Sequence, residues 1–265
     1  MSVANYLEKK VREVAREFGI VELTLPQTMA IPQIIEGKNV LLIAPTGAGK
    51  TEAALLPVFS KLVSGERGDG IKVLYIAPLR ALNRDMLKRF EDWGKKLEIN
   101  LTVRHGDTTL AERRRQATEP PDMLITTPET LQAILPGKRM REHLKSVRCV
   151  IVDEVHEIYQ NKRGVQLSVG LERLSELAGN FQRIGLSATL GEPSGAAEFL
   201  AGKNREIIVL DATMEKDIEV EVESPAPTKA DLQLTEKLGT DPTTAARLRR
   251  LNELCLLYTS PSPRD

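Results

Sequence analysis

The sequence predicts an α/β protein, a mostly parallel β-sheet with helices packed on both faces. Three observations carry that expectation. Short β-branched runs alternate with longer amphipathic segments from residue 39 to residue 210, the signature of βαβ units. At 265 residues, with 41% hydrophobic and 28% charged side chains, the chain can bury a full core. The unusual sequences fall at the carboxyl ends of the apolar runs, where parallel sheets bind their ligands.

The elements follow in order. The opening MSVANYLEKKVREVAREF is charged throughout and places Val3, Leu7, Val11, Val14 and Phe18 on one helical face, which argues for a helix and against a signal peptide. Strands are expected near 39–44, 72–77, 101–105, 122–126, 147–152, 182–187 and 206–210, each a short apolar run. The amphipathic segments between them predict helices at 50–64, 79–97, 109–118, 128–135, 163–178 and 194–202. Beyond these, a short strand is expected at 217–222, then a linker over 224–242 around Pro225 and Pro227, then a helix from Thr243 to Leu254. The final eleven residues, CLLYTSPSPRD, translate one reading frame of a transposase-based sequencing adaptor, so 255–265 are read as a scar outside the fold.

Charge and cysteine content narrow the class. Lys plus Arg and Asp plus Glu each total 37, so any attraction for nucleic acid must be local. Cys149 and Cys255 give neither a disulfide framework nor metal-ligand spacing. No apolar run approaches a membrane span, and a cytoplasmic protein without a membrane partner is expected.

The chemistry begins after the run NVLLIA, at APTGAGKT. Thr46, Gly47, Ala48 and Gly49 lead into Lys50-Thr51 at the start of a helix. Successive backbone N–H groups and a helix N-terminus make an anion cradle, and glycine at 47 and 49 keeps Cβ atoms out of the way. Lys50 would reach the outer phosphates of a nucleotide such as ATP and the Thr51 hydroxyl would ligate Mg²⁺. The usual first glycine of the pattern is Ala44 here.

A second strand ends in IVDEVHE, on Asp153 and Glu154. Acids often cap the helix after a strand. Downstream of a phosphate loop, however, Asp153 is placed to hold Mg²⁺ and Glu154 to orient and deprotonate a water. Adjacent carboxylates both stay ionised when a divalent cation offsets their repulsion.

In order, APTGAGKT, APLRAL (77–82), TTPET (126–130), DEVH (153–156) and SAT (187–189) resemble the first RecA-like domain of a superfamily 2 helicase. RHGDTTLAERRRQ and NKRGVQLSVGLERL resemble, more narrowly, the large helicase-related (Lhr) proteins. The resemblance implies a RecA-like P-loop NTPase domain over 37–223, preceded by an N-terminal helix and adenine-reading segment over 1–36. Gln27 matches the adenine-reading glutamine, since an amide can pair with adenine N6 and N7. Ser187 and Thr189 match the motif that links hydrolysis to domain movement, although alone a Ser-Ala-Thr is more often a turn or cap. His156 matches the residue that couples the box to the opposite domain.

Pro78, Arg80, Thr126, Thr127 and Pro128 match strand-gripping motifs, which offer phosphate donors and no base readout. His105 and the run Arg113–Arg115 extend that track or form a solvated helix face; the sequence leaves both open. The implied partner is single-stranded or forked DNA; the motifs alone do not separate it from RNA or a DNA/RNA hybrid, and an RNA-directed DExH helicase is an alternative. A nucleic-acid-binding module with a structural nucleotide site is the rival reading. The family's second RecA-like domain is expected to begin at 243–254, where RLRRLNEL resembles its first helix. Without its arginine fingers, which can be worth 10³–10⁵ in rate, weak hydrolysis is expected.

Overall fold

Seven parallel strands form one sheet in the order β3-β4-β2-β5-β6-β1-β7. The computed structural model describes residues 3–65, 68–79, 81–213, 223–239 and 241–258. The chain divides into a large unit ending at Met214 and a smaller one from Glu215.

The large unit opens with a 3₁₀ turn (Val3–Tyr6), then α1 (Lys9–Glu17) and α2 (Leu25–Ile35). Strand β1 (Val40–Ile43) leads into α3 (Lys50–Ser64), and β2 (Val73–Ile76) into α4 (Arg84–Leu97). Next come β3 (Leu101–Arg104), α5 (Leu110–Thr118), β4 (Met123–Thr126), α6 (Pro128–Ile134) and α7 (Lys138–Leu144). The unit closes with β5 (Cys149–Val152), α8 (Val155–Ile158), α9 (Lys162–Ala178), β6 (Gln182–Ser187), α10 (Pro193–Ala201) and β7 (Ile208–Asp211).

Alternation along the strands feeds two cores. Val40, Leu42, Val73, Tyr75, Cys149, Ile151, Ile184 and Leu186 pack with residues of α1–α4 on one face. Leu41, Ile43, Leu74, Ile76, Val150 and Val152 pack with α6, α7, α9 and α10 on the other. Both faces are dry, so β1, β2, β4, β5 and β6 are buried along their whole length.

All seven expected strands of this unit are present within two residues of their predicted ends. Helix α4 starts at Arg84 rather than 79, because Pro78 opens a turn and the Asn83 side chain caps the helix by accepting the Met86 N–H at 2.8 Å. Helices α7 and α8 are too short to show a clear period and were not expected. In the smaller unit, the linker expected over 224–242 contains a helix, α11 (Lys229–Leu238). Its cause is a capping box, with Asp231 accepting the Thr228 N–H at 2.8 Å. Helix α12 (Pro242–Tyr258) runs past Leu254 into the stretch read as a scar, because CLLY contains no helix breaker. The strand expected at 217–222 lies outside the described residues.

The guanidinium of Arg183 is 1% exposed, on β6. It donates to the Leu200 and Ala201 carbonyls at 3.0 Å each, to Ser175 Oγ at 2.8 Å and to Glu172 at 3.0 Å. This ties β6 to the end of α10 and to α9.

Gly164 sits in the first turn of α9, which the Asn161 side chain caps. A Cβ there would lie 2.4 Å from the Ile158 carbonyl and 2.9 Å from that of Tyr159. Both are backbone atoms that cannot swing aside. Gly164→Ala is therefore expected to cost about 1–3 kcal/mol, lowering the melting temperature by about 2–4 °C per kcal/mol. A melting curve that superimposes on the parent's would refute this packing account.

Candidate functional site

The sheet order sorts the motifs. Strands β5, β6 and β1 are neighbours, and their carboxyl ends carry Asp153-Glu154, Ser187 and the phosphate loop. Strands β3, β4 and β2 form the other half of the sheet and end on His105, Thr126-Thr127 and Pro78. Parallel register aligns the ends, with Ile43 opposite Ser187 and Ile76 opposite Val152.

Residues 44–49 turn from β1 into α3 with Gly47 at φ +79° and Gly49 at φ +83°. These left-handed conformations are open to glycine and strained for other residues. Thr46 and Gly47 form the exposed rim, with Ala48 partly covered. Behind the loop, the segment entering α2 holds it in place. Thr24 Oγ donates to the Ala48 carbonyl at 2.9 Å, and Gln27 Nε2 to the Gly49 carbonyl at 3.3 Å. Gln27 is 3% exposed, and its Oε1 accepts the Thr24 N–H at 3.0 Å. A Cβ on Gly49 would fall 2.5 Å from Gln27 Nε2, a second reason for glycine there.

Lys50, the first residue of α3, is 9% exposed. Its ammonium donates to the carbonyls of Ala44 at 2.8 Å and Pro45 at 3.1 Å. Burial lowers its pKa, and the charges of Glu154 and Asp153 act against that shift.

Asp153 is buried. One of its oxygens accepts the Glu154 N–H at 2.9 Å and the other the Tyr75 hydroxyl. Burial raises its pKa, while the Tyr75 and Glu154 donors pull it back down. Burial first and then Asp153's charge hold the Tyr75 phenol well above its ordinary value, so it stays a donor. Glu154 is half-buried with φ 51° and ψ 47°, a strained left-handed turn of the kind that collects at functional sites. Burial, then the charge of Asp153, raises its pKa.

His156 links two motifs through one ring nitrogen. Its Nδ1 accepts the Ala188 N–H at 3.3 Å, and lies 3.4 Å from Ser187 Oγ and 3.4 Å from a Glu154 carboxylate oxygen. Ser187 is fully buried, and Thr189 is exposed in the turn beyond it.

The other half of the edge holds fewer free donors than the sequence suggested. Thr126 and Thr127 are buried. Thr126 Oγ donates to the Arg104 carbonyl at 2.8 Å, and Thr127 Oγ donates to Thr130 Oγ at 3.1 Å while accepting the Thr130 N–H at 3.3 Å as the cap of α6. Pro78 and Pro128 are also buried, and Arg80 lies outside the described residues. Arg113 braces the loop before α5 by donating to the carbonyls of His105 at 3.3 Å and Gly106 at 2.6 Å. His105 Nδ1 accepts the Asp107 N–H at 3.2 Å. Arg114 and Arg115 are exposed.

Two participants escaped sequence reading. Thr24 had a signal, because T-x-x-Q before an apolar run is a capping box. Tyr75 had none, since it occupies an ordinary strand position.

Among the described residues no group of three or more His, Cys, Asp or Glu side chains is arranged to hold a metal. The donors present, one buried carboxylate and one hydroxyl, instead suit Mg²⁺ shared with phosphates. No helix among them is long and apolar enough to cross a membrane.

Residues 24–197 match the family model for the DEAD/DEAH box helicases. The chain belongs to that family. This DEAD/DEAH box helicase domain is 43% identical over 223 residues to the ATP-dependent helicase Lhr-Core of Methanothermobacter thermautotrophicus, covering 77% of the chain and 26% of the relative. It is 32% identical over 198 residues to the ATP-dependent DNA helicase Hel308 of Pyrococcus abyssi, covering 74% of the chain and 26% of that protein. The solved structure of Mycobacterium smegmatis helicase Lhr bound to ssDNA and AMP-PNP superposes with a TM-score of 0.75 at 33% identity, over 99% of this chain and 38% of that one. The helicase domain thus spans about a quarter of the length of the Lhr-Core relatives it matches.

The carboxylate shifts have a sign. A carboxyl whose folded pKa is raised stabilises the fold most below its ordinary pKa, and loses that contribution as pH rises through the raised value. At neutral pH the ionised Glu154 therefore opposes folding. Glu154→Gln is expected to melt above the parent at pH 7, with the gap closing as pH falls toward about 4. A variant that melts lower, or by the same margin at both pH values, would refute the assignment.

Proposed function

We propose that this helicase domain is the ATP-binding half of an ATP-dependent nucleic-acid helicase or translocase. The observation that carries this reading is the placing of phosphate loop, Lys50 and the Asp153-Glu154 pair at one sheet edge, on strands β1 and β5 that flank β6. The triphosphate lies against the backbone N–H groups of residues 46–51, with the Lys50 ammonium exchanging its carbonyl partners for phosphate oxygens. Gln27 keeps one amide hydrogen and one lone pair beyond its protein bonds, enough to pair with adenine. Thr51 and Asp153 hold Mg²⁺, whose charge offsets that of the phosphates.

Glu154 takes a proton from a water, whose oxygen bonds to the γ-phosphorus as the bond to the β-phosphate oxygen breaks. ADP and phosphate leave, and the proton remains on Glu154 until solvent removes it. Its raised pKa brings this base closer to working pH than an exposed glutamate. The contact of His156 with Ala188 and Ser187 relays the state of the box to the motif on β6. A strand of DNA or RNA runs along the ends of β2, β4 and β3, near His105, held by its backbone and therefore sensitive to salt. The domain acts with a second RecA-like domain beginning near residue 243, in the cytoplasm.

The test is turnover by the 265-residue chain with Mg-ATP, with and without single-stranded DNA or RNA, beside thermal melts. ATP is expected to raise the melting temperature of the parent and not of Lys50→Ala, with slow turnover. Glu154→Gln is expected to keep that stabilisation and to lose at least about 100-fold in turnover. Brisk turnover by the parent would refute the need for a second domain. Equal stabilisation of Lys50→Ala would refute the phosphate site.

A further inference from the structure

Tyr75 stands out among the buried polar groups because packing does not explain it. The side chain fills a fully buried position of β2 between Leu74 and Ile76. Its ring meets Phe90 edge-on with centroids 5.0 Å apart, a contact that phenylalanine would make equally well. The hydroxyl is the part left to explain, and it donates to Asp153, 78 positions further along the chain. The phenol therefore stands at a carboxylate that the Mg-nucleotide reading assigns to the metal.

We propose that Tyr75 is a positioning residue for the divalent cation, its hydroxyl orienting the Asp153 carboxylate from beneath. The inference rests on that reading of the site. A carboxylate free to turn about its last bond presents an oxygen to a cation only part of the time. Here the Glu154 N–H holds one oxygen and the Tyr75 hydroxyl the other. Two donors fix the plane of the group, and the remaining lone pairs keep one direction. Parallel pairing of β2 with β5 makes the arrangement rigid, with the Asp153 N–H donating to the Ile76 carbonyl at 2.8 Å. Hydrogen-bond partners of metal ligands typically set affinity by 10–100-fold when removed.

The experiment titrates Mn²⁺, as a paramagnetic substitute for Mg²⁺, into the full chain saturated with a non-hydrolysable ATP analogue, and reads bound metal by electron paramagnetic resonance. Tyr75→Phe, which keeps the ring, is expected to weaken Mn²⁺ binding by about tenfold. Its affinity for the analogue without metal should match the parent's. Phe90→Leu loosens the same core with the hydroxyl in place; it is expected to melt lower yet bind Mn²⁺ like the parent. Parent-like Mn²⁺ binding by Tyr75→Phe would overturn the proposal, as would an equal loss in Phe90→Leu, which would reduce Tyr75 to packing. If the parent complex itself takes up no Mn²⁺, the Mg-nucleotide reading falls, and this inference with it.

Discussion

Parallel pairing of β1 with β6 and of β6 with β5 is the constraint on which the rest of the molecule depends. Parallel strands send all their carboxyl ends to one edge, and each return crossover lays a helix on a face of the sheet. A one-residue slip of β5 would turn Asp153 from the Tyr75 face to the other and expose an apolar neighbour in its place. The strands carry apolar residues on both sides, so the register is fixed by two cores at once. The site inherits its precision from that double burial.

What the edge gains in position it loses in stability. Asp153 and Glu154 sit where burial disfavours their charge, Glu154 adopts a left-handed turn, and Lys50 is partly desolvated. Each of these opposes folding, and none would survive without a surrounding structure that over-determines it. The compensation is local and specific. Asp153 has two donors, Lys50 two carbonyls and the phosphate loop two side-chain anchors from the entry to α2. Further away, the Arg183 cluster binds β6 to two helices and so keeps Ser187 and Ala188 in reach of His156. Such sites are stable as wholes and costly in their parts.

Most of the fold was legible because it rests on periodicity. The strands of the large unit read correctly since buried parallel strands are short apolar runs bounded by loops, and α3 read to the residue because the phosphate loop announces its start. Periodicity fails where elements are short: α7 and α8 have about two turns or fewer, too few to establish a face. It failed again at α11, where Pro225 and Pro227 suggested a linker and the Thr228–Asp231 capping box prevailed. At the site, glycines, Lys50 and the paired acids were legible because each is rare at its position. Sequence does not reveal that the Thr126 hydroxyl donates to a neighbouring strand and the Thr127 hydroxyl to Thr130 on its own helix. Tyr75 was invisible for a related reason. Its partner is brought to it by the sheet alone.

The two sets of anchors differ in how far they reach along the chain, and this bears on how the molecule comes into being. Thr24 and Gln27 meet the phosphate loop across 24 and 22 positions, whereas Tyr75 meets Asp153 across 78. Closing a short loop loses less chain entropy than closing a long one. As the polypeptide leaves the ribosome, α2 and the phosphate loop are both available before β5 has been made. The strand that carries the loop nonetheless waits longer than the acidic pair: Asp153 needs β5 beside β2, whereas β1 pairs with β6 and β7, both further along the chain than β5.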